Sequence, residues 1–169
     1  MEHNGGQPAP AAATEHWLEE RNKVPTFKSF LQSGVIVDTI EVAAPYSKIG
    51  KIYDAAVARL GAIRGIWNGS AHSSHAYRTG LNLYFSFAVQ PESKANLRAA
   101  YHECWRAVME SCLELGGSIS HHHGIGRVRR EWLARELGSA GLATLRSLQQ
   151  ALDPHGIMNP GVLVPDVPK

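Results

Sequence analysis

The chain has 169 residues, of which 44% are hydrophobic and 19% charged, the composition of a globular protein rather than a disordered one. Seventeen Lys and Arg against fifteen Asp and Glu give a net charge of +2, too even for the basic surface that nucleic-acid binding requires. No stretch approaches the ~20 apolar residues that span a bilayer, and no secretory signal opens the sequence. We therefore expect a cytoplasmic protein without a nucleic-acid partner, and peripheral association with a membrane is left open.

The predicted elements begin after a stretch without hydrophobic periodicity. Residues 1–13 carry Gly and Pro, so we expect a disordered tail there. A helix is predicted over 17–31, interrupted near Pro25 and ended by Gly34. The elements that follow are, in order, a strand at 35–42, a helix at 49–60, strands at 62–70 and 81–89, a helix at 97–115, a short strand at 118–121, and helices around 128–133 and 142–152.

The order of these elements predicts an α+β fold. From residue 35 to residue 121 they run β-α-β-β-α-β, the arrangement of a ferredoxin-like antiparallel sheet with its helices on one face. The opposite face of the sheet is then left uncovered by the helices. We expect that face to dock on another domain or to line a wet cavity.

Alternation along the strand at 81–89 sorts its side chains between the two faces. Leu81 and the hydrophobic residues at every second position after it would pack under the helices. Asn82, Tyr84 and Ser86 would share the other face, where a tyrosine among polar groups is a candidate for site chemistry. The alternative is a tyrosine at a domain interface whose hydroxyl finds a partner.

A histidine triplet framed by glycines, GGSISHHHGIG, spans Gly116–Gly126. Imidazole is suited to proton transfer near neutral pH, and the glycines let the backbone approach a ligand closely. If the triplet continues a strand, His121 and His123 point one way and His122 the other. A solvated histidine run is the alternative.

A metal site is the competing interpretation of the histidines. His72 and His75 could join His121 and His123 around a zinc ion. However, no Cys, Asp or Glu is interleaved among them, and the side chains of a triplet in a strand cannot converge on one ion. We therefore expect no metal ligands in this chain.

Basic residues open the helix that follows Gly126. A helix N-terminus with arginines can hold a phosphate or a carboxylate, which makes Arg127 a candidate substrate ligand. Glu131 and Glu136 lie nearby, so a solvated helix face is the alternative. The basic residues are Arg127, Arg129, Arg130 and Arg135.

Three segments of the sequence resemble the C-terminal half of FAD-linked oxidases in the vanillyl-alcohol oxidase and para-cresol methylhydroxylase superfamily. They are HSSHAYRTGLNLYF (His72–Phe85), GGSISHHHGIGRVRREW (Gly116–Trp132) and ALDPHGIMNPG (Ala151–Gly161), with a weaker one in VDTIEVA (Val37–Ala43). The HHHGxG string is typical of alkyldihydroxyacetonephosphate synthase and its bacterial relatives. The wider oxidase family has Glu-His-Gly-x-Gly at this place, so the part shared with it is His123-Gly124-Ile125-Gly126.

The resemblance implies a cofactor, a reaction and a set of site residues. In the synthase family, which makes ether lipids, an acyl-dihydroxyacetonephosphate exchanges its acyl group for a long-chain alcohol at an FAD-dependent site. The family's substrate-anion arginine falls near Lys28, and lysine keeps the charge without bidentate recognition of a phosphate. The catalytic residues so implied are Tyr84, which would move a substrate proton, and His121, His122 and His123. The implied substrate-binding residues are Lys28 and Arg127. The implied flavin-binding residues are His123 and Asn159.

The resemblance also implies how the chain is organised and what it needs. Residues 14–126 would form the cap or substrate domain, and residues 127–169 a helical segment that completes the flavin site. The partner would be an N-terminal FAD-binding domain or subunit, without which we expect no activity, and the substrate would be lipid-like or a small acid. The alternatives are a flavin-dependent 2-hydroxy-acid dehydrogenase or oxidase and a non-catalytic subunit, and a homodimer is left open.

Overall fold

Two short helices precede the sheet in the computed structural model, which describes residues 5, 9–23 and 26–164. Helix α1 spans Ala11–Glu20, so it begins inside the stretch predicted as a tail, and α2 spans Lys28–Gln32. The interruption predicted near Pro25 lies outside the described residues. Gly34 follows α2 with a positive φ of 82°, a conformation that glycine adopts without strain, and it ends the helix as predicted.

The centre of the fold is a three-stranded antiparallel sheet with two long helices. The elements are β1 at Ile36–Pro45, α3 at Tyr46–Gly61, β2 at Ile66–His72, β3 at Gly80–Val89 and α4 at Leu97–Glu114. β3 lies in the middle and pairs with β1 on one side and with β2 on the other. The predicted α+β class, an antiparallel sheet with helices, is confirmed.

One face of the sheet packs under α3 and α4 and forms the hydrophobic core. Along β3, every second side chain from Leu83 to Val89 is buried there, as the alternation predicts. Helix α3 approaches β2 closely at Gly69, where a Cβ atom would lie 2.9 Å from the Cβ of Leu60. The buried residues of the two helices include Ile49, Ile52, Ala56 and Leu60 of α3 and Cys104, Val108 and Cys112 of α4.

The short fourth strand predicted at 118–121 is reduced to one antiparallel bridge beside β1. Ala43 and Ser118 exchange both backbone hydrogen bonds, at 3.0 and 2.7 Å. Further along, the backbone N–H groups of His122 and His123 donate to a carboxylate instead of to a strand. After this single pair the chain leaves β1 and forms the loop that carries the triplet.

The C-terminal part of the chain is a helix followed by a returning loop. Helix α5 runs over Arg130–Leu152 and joins the two helices predicted there, with a break at Gly138, where φ is 70° and ψ is 176°. The loop after α5 returns to the start of the helix, where the N–H of Leu163 donates to the carbonyl of Gly126 at 3.2 Å. None of the helices in the described part of the chain is long and apolar enough to cross a membrane.

The division of β3 between two faces can be tested by measuring stability. Leu83 belongs to the core, so Leu83→Ala should lower the free energy of unfolding by about 2–5 kcal/mol through the cavity that it leaves. Ser86→Ala, on the opposite face of the same strand, should change it by less than about 0.5 kcal/mol. Urea denaturation measures both values, and equal losses would contradict the assignment of the faces.

Candidate functional site

The sheet face opposite the helices carries a row of polar side chains. The antiparallel register places Glu41 of β1 beside Tyr84 of β3, and Tyr84 beside His72 of β2. Directly paired residues share a face, with Cβ atoms about 4.5–5.5 Å apart. Asn82 lies two residues before Tyr84 and therefore points to the same side. The three strands thus bring a carboxylate, a phenol, an imidazole and an amide together.

Glu41 is fully buried and ties the histidine triplet to the sheet. Its Oε2 accepts the backbone N–H groups of His122 at 3.0 Å and of His123 at 3.1 Å. Its Oε1 accepts a hydrogen bond from the side-chain amide of Asn82 at 3.1 Å. These donors replace the water that the carboxylate loses, and without them the buried charge would strongly destabilise the fold.

Asn82 can face Glu41 only with its amide nitrogen. Its Oδ1 accepts the backbone N–H groups of Ser74 at 3.3 Å and of His75 at 3.0 Å, so Nδ2 is the atom that is left for the carboxylate. Both oxygens of Glu41 therefore face donors, which favours the ionised form. Burial raises the pKa of Glu41, but the hydrogen bonds from Asn82 and from the triplet backbone outweigh burial and lower the pKa to about 2. Glu41 is therefore a carboxylate at neutral pH.

The side chains of the three histidines converge on Glu41. The Nδ1 atoms of His121, His122 and His123 lie 3.2, 2.7 and 3.9 Å from its carboxylate oxygens. The divergence that we expected is wrong, because the triplet forms a loop in which side chains need not alternate. Ligand atoms of His75, His121 and His122 lie within 4.8 Å of one another, as do those of Glu41, His122 and His123, a spacing that a metal ion could use. The absence of a bound metal stays a prediction.

Tyr84 is surrounded by imidazole rings. Its hydroxyl oxygen lies 2.8 Å from Nε2 of His122. The ring of His72 stacks on it, with 5.2 Å between centroids and 12° between planes, and His123 meets it edge-on at 5.3 Å. Burial raises the pKa of Tyr84, and the charge of Glu41 also raises it. Tyr84 is therefore a neutral phenol that loses its proton only when a partner accepts it.

The other predicted site residues are placed differently. Arg127 is exposed, and its Nη2 donates to the carbonyl of Pro160 at 3.1 Å. Asn159 belongs to the same loop and has a positive φ of 46°. Lys28 is exposed at the start of α2 and takes part in none of the hydrogen bonds just described. Arg127 thus anchors the loop that carries Asn159, whereas Lys28 joins neither that loop nor the histidines.

The sequence analysis missed Glu41 and did not single out Arg129. The signal for Glu41 is an acidic residue inside a β-branched strand, since a buried charge of this kind almost always has partners. Arg129 is 6% exposed and donates from Nη1 to the carbonyl of Gly124 at 3.0 Å. Its guanidinium carbon lies 4.9 Å from the centroid of the Trp105 ring. Arg129 therefore holds the triplet loop from the side of α5.

Two cavities open beside the triplet. One of about 450 Å³ borders His121 and Tyr77 and is otherwise lined mainly by small or apolar residues. The other, of about 350 Å³, borders His123 and carries Arg127 together with Asp38 on its lining. The first cavity offers room for an apolar group, and the second offers charged partners.

The low pKa of Glu41 predicts a loss of stability in acid. The folded-state pKa is lowered from 4.5 to about 2, so this stabilisation is present in full above the unfolded value and is lost as the pH falls from about 4.5 to about 2. The full loss is about 3 kcal/mol. Over this range the free energy of unfolding of the parent should approach that of Glu41→Gln, as measured by urea denaturation. A constant gap between the parent and Glu41→Gln over this range would contradict the prediction.

Comparison with known proteins identifies the family to which this chain belongs. The family model described as the C-terminal domain of FAD linked oxidases matches residues 2–163. The uncharacterized FAD-linked oxidoreductase YgcU of Escherichia coli strain K12 is 34% identical over 142 residues, which cover 80% of this chain and 29% of that protein. Alkyldihydroxyacetonephosphate synthase of Dictyostelium discoideum is 31% identical over 163 residues, 93% of this chain and 26% of the synthase.

A solved structure agrees with these relatives. A structure of alkyldihydroxyacetonephosphate synthase matches with a TM-score of 0.55 and 25% identity, covering 90% of this chain and 24% of the solved chain. The mitochondrial D-lactate dehydrogenase [cytochrome] of Arabidopsis thaliana is 27% identical over 125 residues, 74% of this chain and 21% of that protein. The chain thus spans between a fifth and three tenths of the length of these proteins. By its family match and its relatives, it belongs to the FAD-linked oxidases as a C-terminal domain.

Proposed function

We propose that this chain supplies the substrate side of an FAD-dependent active site, where Tyr84 passes a proton between the substrate and His122. The observation that carries the proposal is the 2.8 Å contact between the Tyr84 hydroxyl and Nε2 of His122, on the sheet face that the helices leave free. Because its pKa is raised, Tyr84 cannot act as a resting phenolate. It works as a base by taking the substrate proton while its own proton moves to His122.

The triplet loop suits the ring end of FAD, the cofactor of this family. Gly124 and Gly126 have positive φ values of 71° and 57°, and no atom lies within 4 Å of where a Cβ atom would be. A planar ring can therefore approach this backbone, with His123 and the Asn159 loop as contacts. When bound, FAD supplies an electron-accepting isoalloxazine ring.

The rest of the cofactor needs another domain or subunit. Pyrophosphate groups are commonly held by a glycine-rich turn between a strand and a helix N-terminus. Among the described residues, neither strand-to-helix connection contains a glycine: β1 passes directly into α3, and residues 90–96 join β3 to α4. We therefore assign the adenine and pyrophosphate to an N-terminal FAD-binding partner, with the flavin ring at the junction.

The reaction that the site supports best is an acyl-to-alkyl exchange like that of alkyldihydroxyacetonephosphate synthase, a step in ether-lipid formation. The similarity to the synthases extends over most of this chain. The cavity of about 450 Å³ beside His121 is lined mainly by small and apolar residues, which suits a lipid-like substrate. Arg127 is the candidate ligand for the substrate anion, because it lines the cavity at His123, whereas Lys28 lines neither of the two cavities.

A second candidate is the oxidation of a 2-hydroxy acid. It is favoured by the cavity of about 350 Å³ at His123, whose lining includes Arg127 and Arg129 and could face a small carboxylate. Bleaching of a bound flavin by a hydroxy acid without oxygen would favour this reaction over the exchange. A chain that shows neither activity beside a flavin domain would be a non-catalytic subunit.

The division of the cofactor between two partners predicts weak binding by this chain alone. We expect the purified chain to lose FAD on dialysis, because it contacts only the ring end. The absorbance of the flavin near 450 nm, measured relative to protein, tests this. Addition of the FAD-binding partner should restore a stoichiometric flavin spectrum. Retention of near-stoichiometric FAD by the chain alone would overturn the assignment of the pyrophosphate to a partner.

The role of Tyr84 is tested by deleting its hydroxyl alone. In the enzyme assembled with its FAD-binding domain, Tyr84→Phe should lower kcat by about 10²–10⁴-fold, because the proton-transfer group is lost. Its stability should change by no more than about 1 kcal/mol, one hydrogen bond. Tyr53→Phe makes the same chemical change on α3 and should leave turnover unaltered. If Tyr84→Phe turns over within about threefold of the parent, Tyr84 is only an interface residue.

A further inference from the structure

We propose that Glu41 sets the protonation of the His122 ring, with the proton on Nδ1, and thereby fixes the direction in which a proton moves between His122 and Tyr84. The role of Tyr84 rests on the proposed function, which this inference deepens. Glu41 is fully buried, so we expect it to act on a substrate through His122 and not by direct contact. It is therefore a positioning residue.

The first step of the argument concerns the nitrogen that faces Glu41. Nδ1 of His122 lies 2.7 Å from Oε1 of Glu41. Glu41 is ionised, because Asn82 and two backbone N–H groups all donate to it. An ionised carboxylate can only accept hydrogen bonds. A bare nitrogen at 2.7 Å would set its lone pair against the charged oxygen, so we infer a proton on Nδ1 of His122. Nδ1 of His121 lies 3.0 Å from the same nitrogen and 3.2 Å from Oε1, so its ring shares the contact with Glu41.

The second step concerns the opposite nitrogen of the same ring. A neutral imidazole has one protonated and one bare nitrogen, so a proton on Nδ1 leaves Nε2 bare. The Tyr84 hydroxyl lies 2.8 Å from this Nε2 and donates to it. Tyr84 thus donates to His122, and His122 faces the buried carboxylate of Glu41 with its protonated nitrogen.

The proton balance of the step follows from this order. The O–H bond of Tyr84 breaks as a bond forms between its hydrogen and Nε2 of His122, and the Tyr84 oxygen takes a proton from the substrate. His122 becomes an imidazolium beside the Glu41 carboxylate, which stays ionised and stabilises the new charge. One proton has moved from the substrate to His122, and no group in this relay is oxidised or reduced.

Anchoring of the loop is a separate task of the same carboxylate. Oε2 of Glu41 holds the backbone of His122 and His123, whereas Oε1 faces the His122 ring. Glu136 offers a comparison because it only anchors. Its Oε1 accepts the hydroxyl of Ser118 at 2.7 Å, and its Oε2 accepts the N–H of Ile119 at 3.1 Å. Replacing each glutamate by glutamine separates the two tasks.

The test reads the His122 ring directly and needs no flavin. The full chain is labelled with ¹⁵N-histidine and kept in EDTA at a pH where imidazole is neutral, and long-range ¹H–¹⁵N spectra report which ring nitrogen is protonated. His122→Gln identifies the His122 signals by their loss. The parent, Glu41→Gln and Glu136→Gln are compared, with circular dichroism as the check on folding.

We expect Nδ1–H at His122 in the parent and in Glu136→Gln, and a shift of at least half the population to Nε2–H in Glu41→Gln. The same change in both glutamine variants would mean that Glu41 is only an anchor and would overturn the proposal. So would an unchanged Glu41→Gln. If Glu41→Gln does not fold, the spectrum of the parent alone tests the proposal. A proton on Nε2 of His122 in the parent would refute the relay. The experiment does not measure turnover, so its result stands even if the proposed reaction is wrong.

Discussion

The candidate site depends on one buried carboxylate. Glu41 is fully removed from water on β1, and a charge in that position is stable only while several donors surround it. The donors come from Asn82 and from the backbone of the histidine loop. The need to satisfy one ion therefore determines where the loop lies, which way Asn82 points and why the three imidazoles share a small volume.

The two faces of the sheet divide stability from chemistry. The face under α3 and α4 holds the large apolar side chains, among them Phe85 and Phe87, whereas the opposite face holds Glu41, Asn82 and Tyr84. Successive residues of β3 therefore contribute alternately to the core and to the candidate site, because side chains on a pleated strand point to opposite faces. The rigid packing of one face gives the polar groups of the other a fixed frame, which a site on a free loop would lack.

The sequence predicts the parts of this site that follow from local geometry. The alternation of β3 is sufficient to place Tyr84 on the free face, and the glycine frame marks the triplet as unusual. The convergence of the histidines was not predictable in this way, since it depends on hydrogen bonds between Glu41 and a loop 81 residues further along the chain. The fourth strand is reduced to one bridge, and N–H groups after it donate to the side chains of Glu136 and Glu41. The two helices predicted near the C-terminus form one element, α5, which is interrupted at Gly138. The structure differs from the prediction there only in the backbone that connects the two helical parts.

The distance along the chain between the site's members has a consequence for how the protein folds. The hydrogen bond from the His122 N–H to Glu41 closes a separation of 81 residues. Contacts between such remote segments form late, since the entropy lost in closing the loop is recovered only after the intervening elements have packed. During synthesis, Glu41 leaves the ribosome long before the triplet exists. We therefore expect this acidic side chain to remain hydrated until the histidine loop has formed, so that its burial comes late in folding.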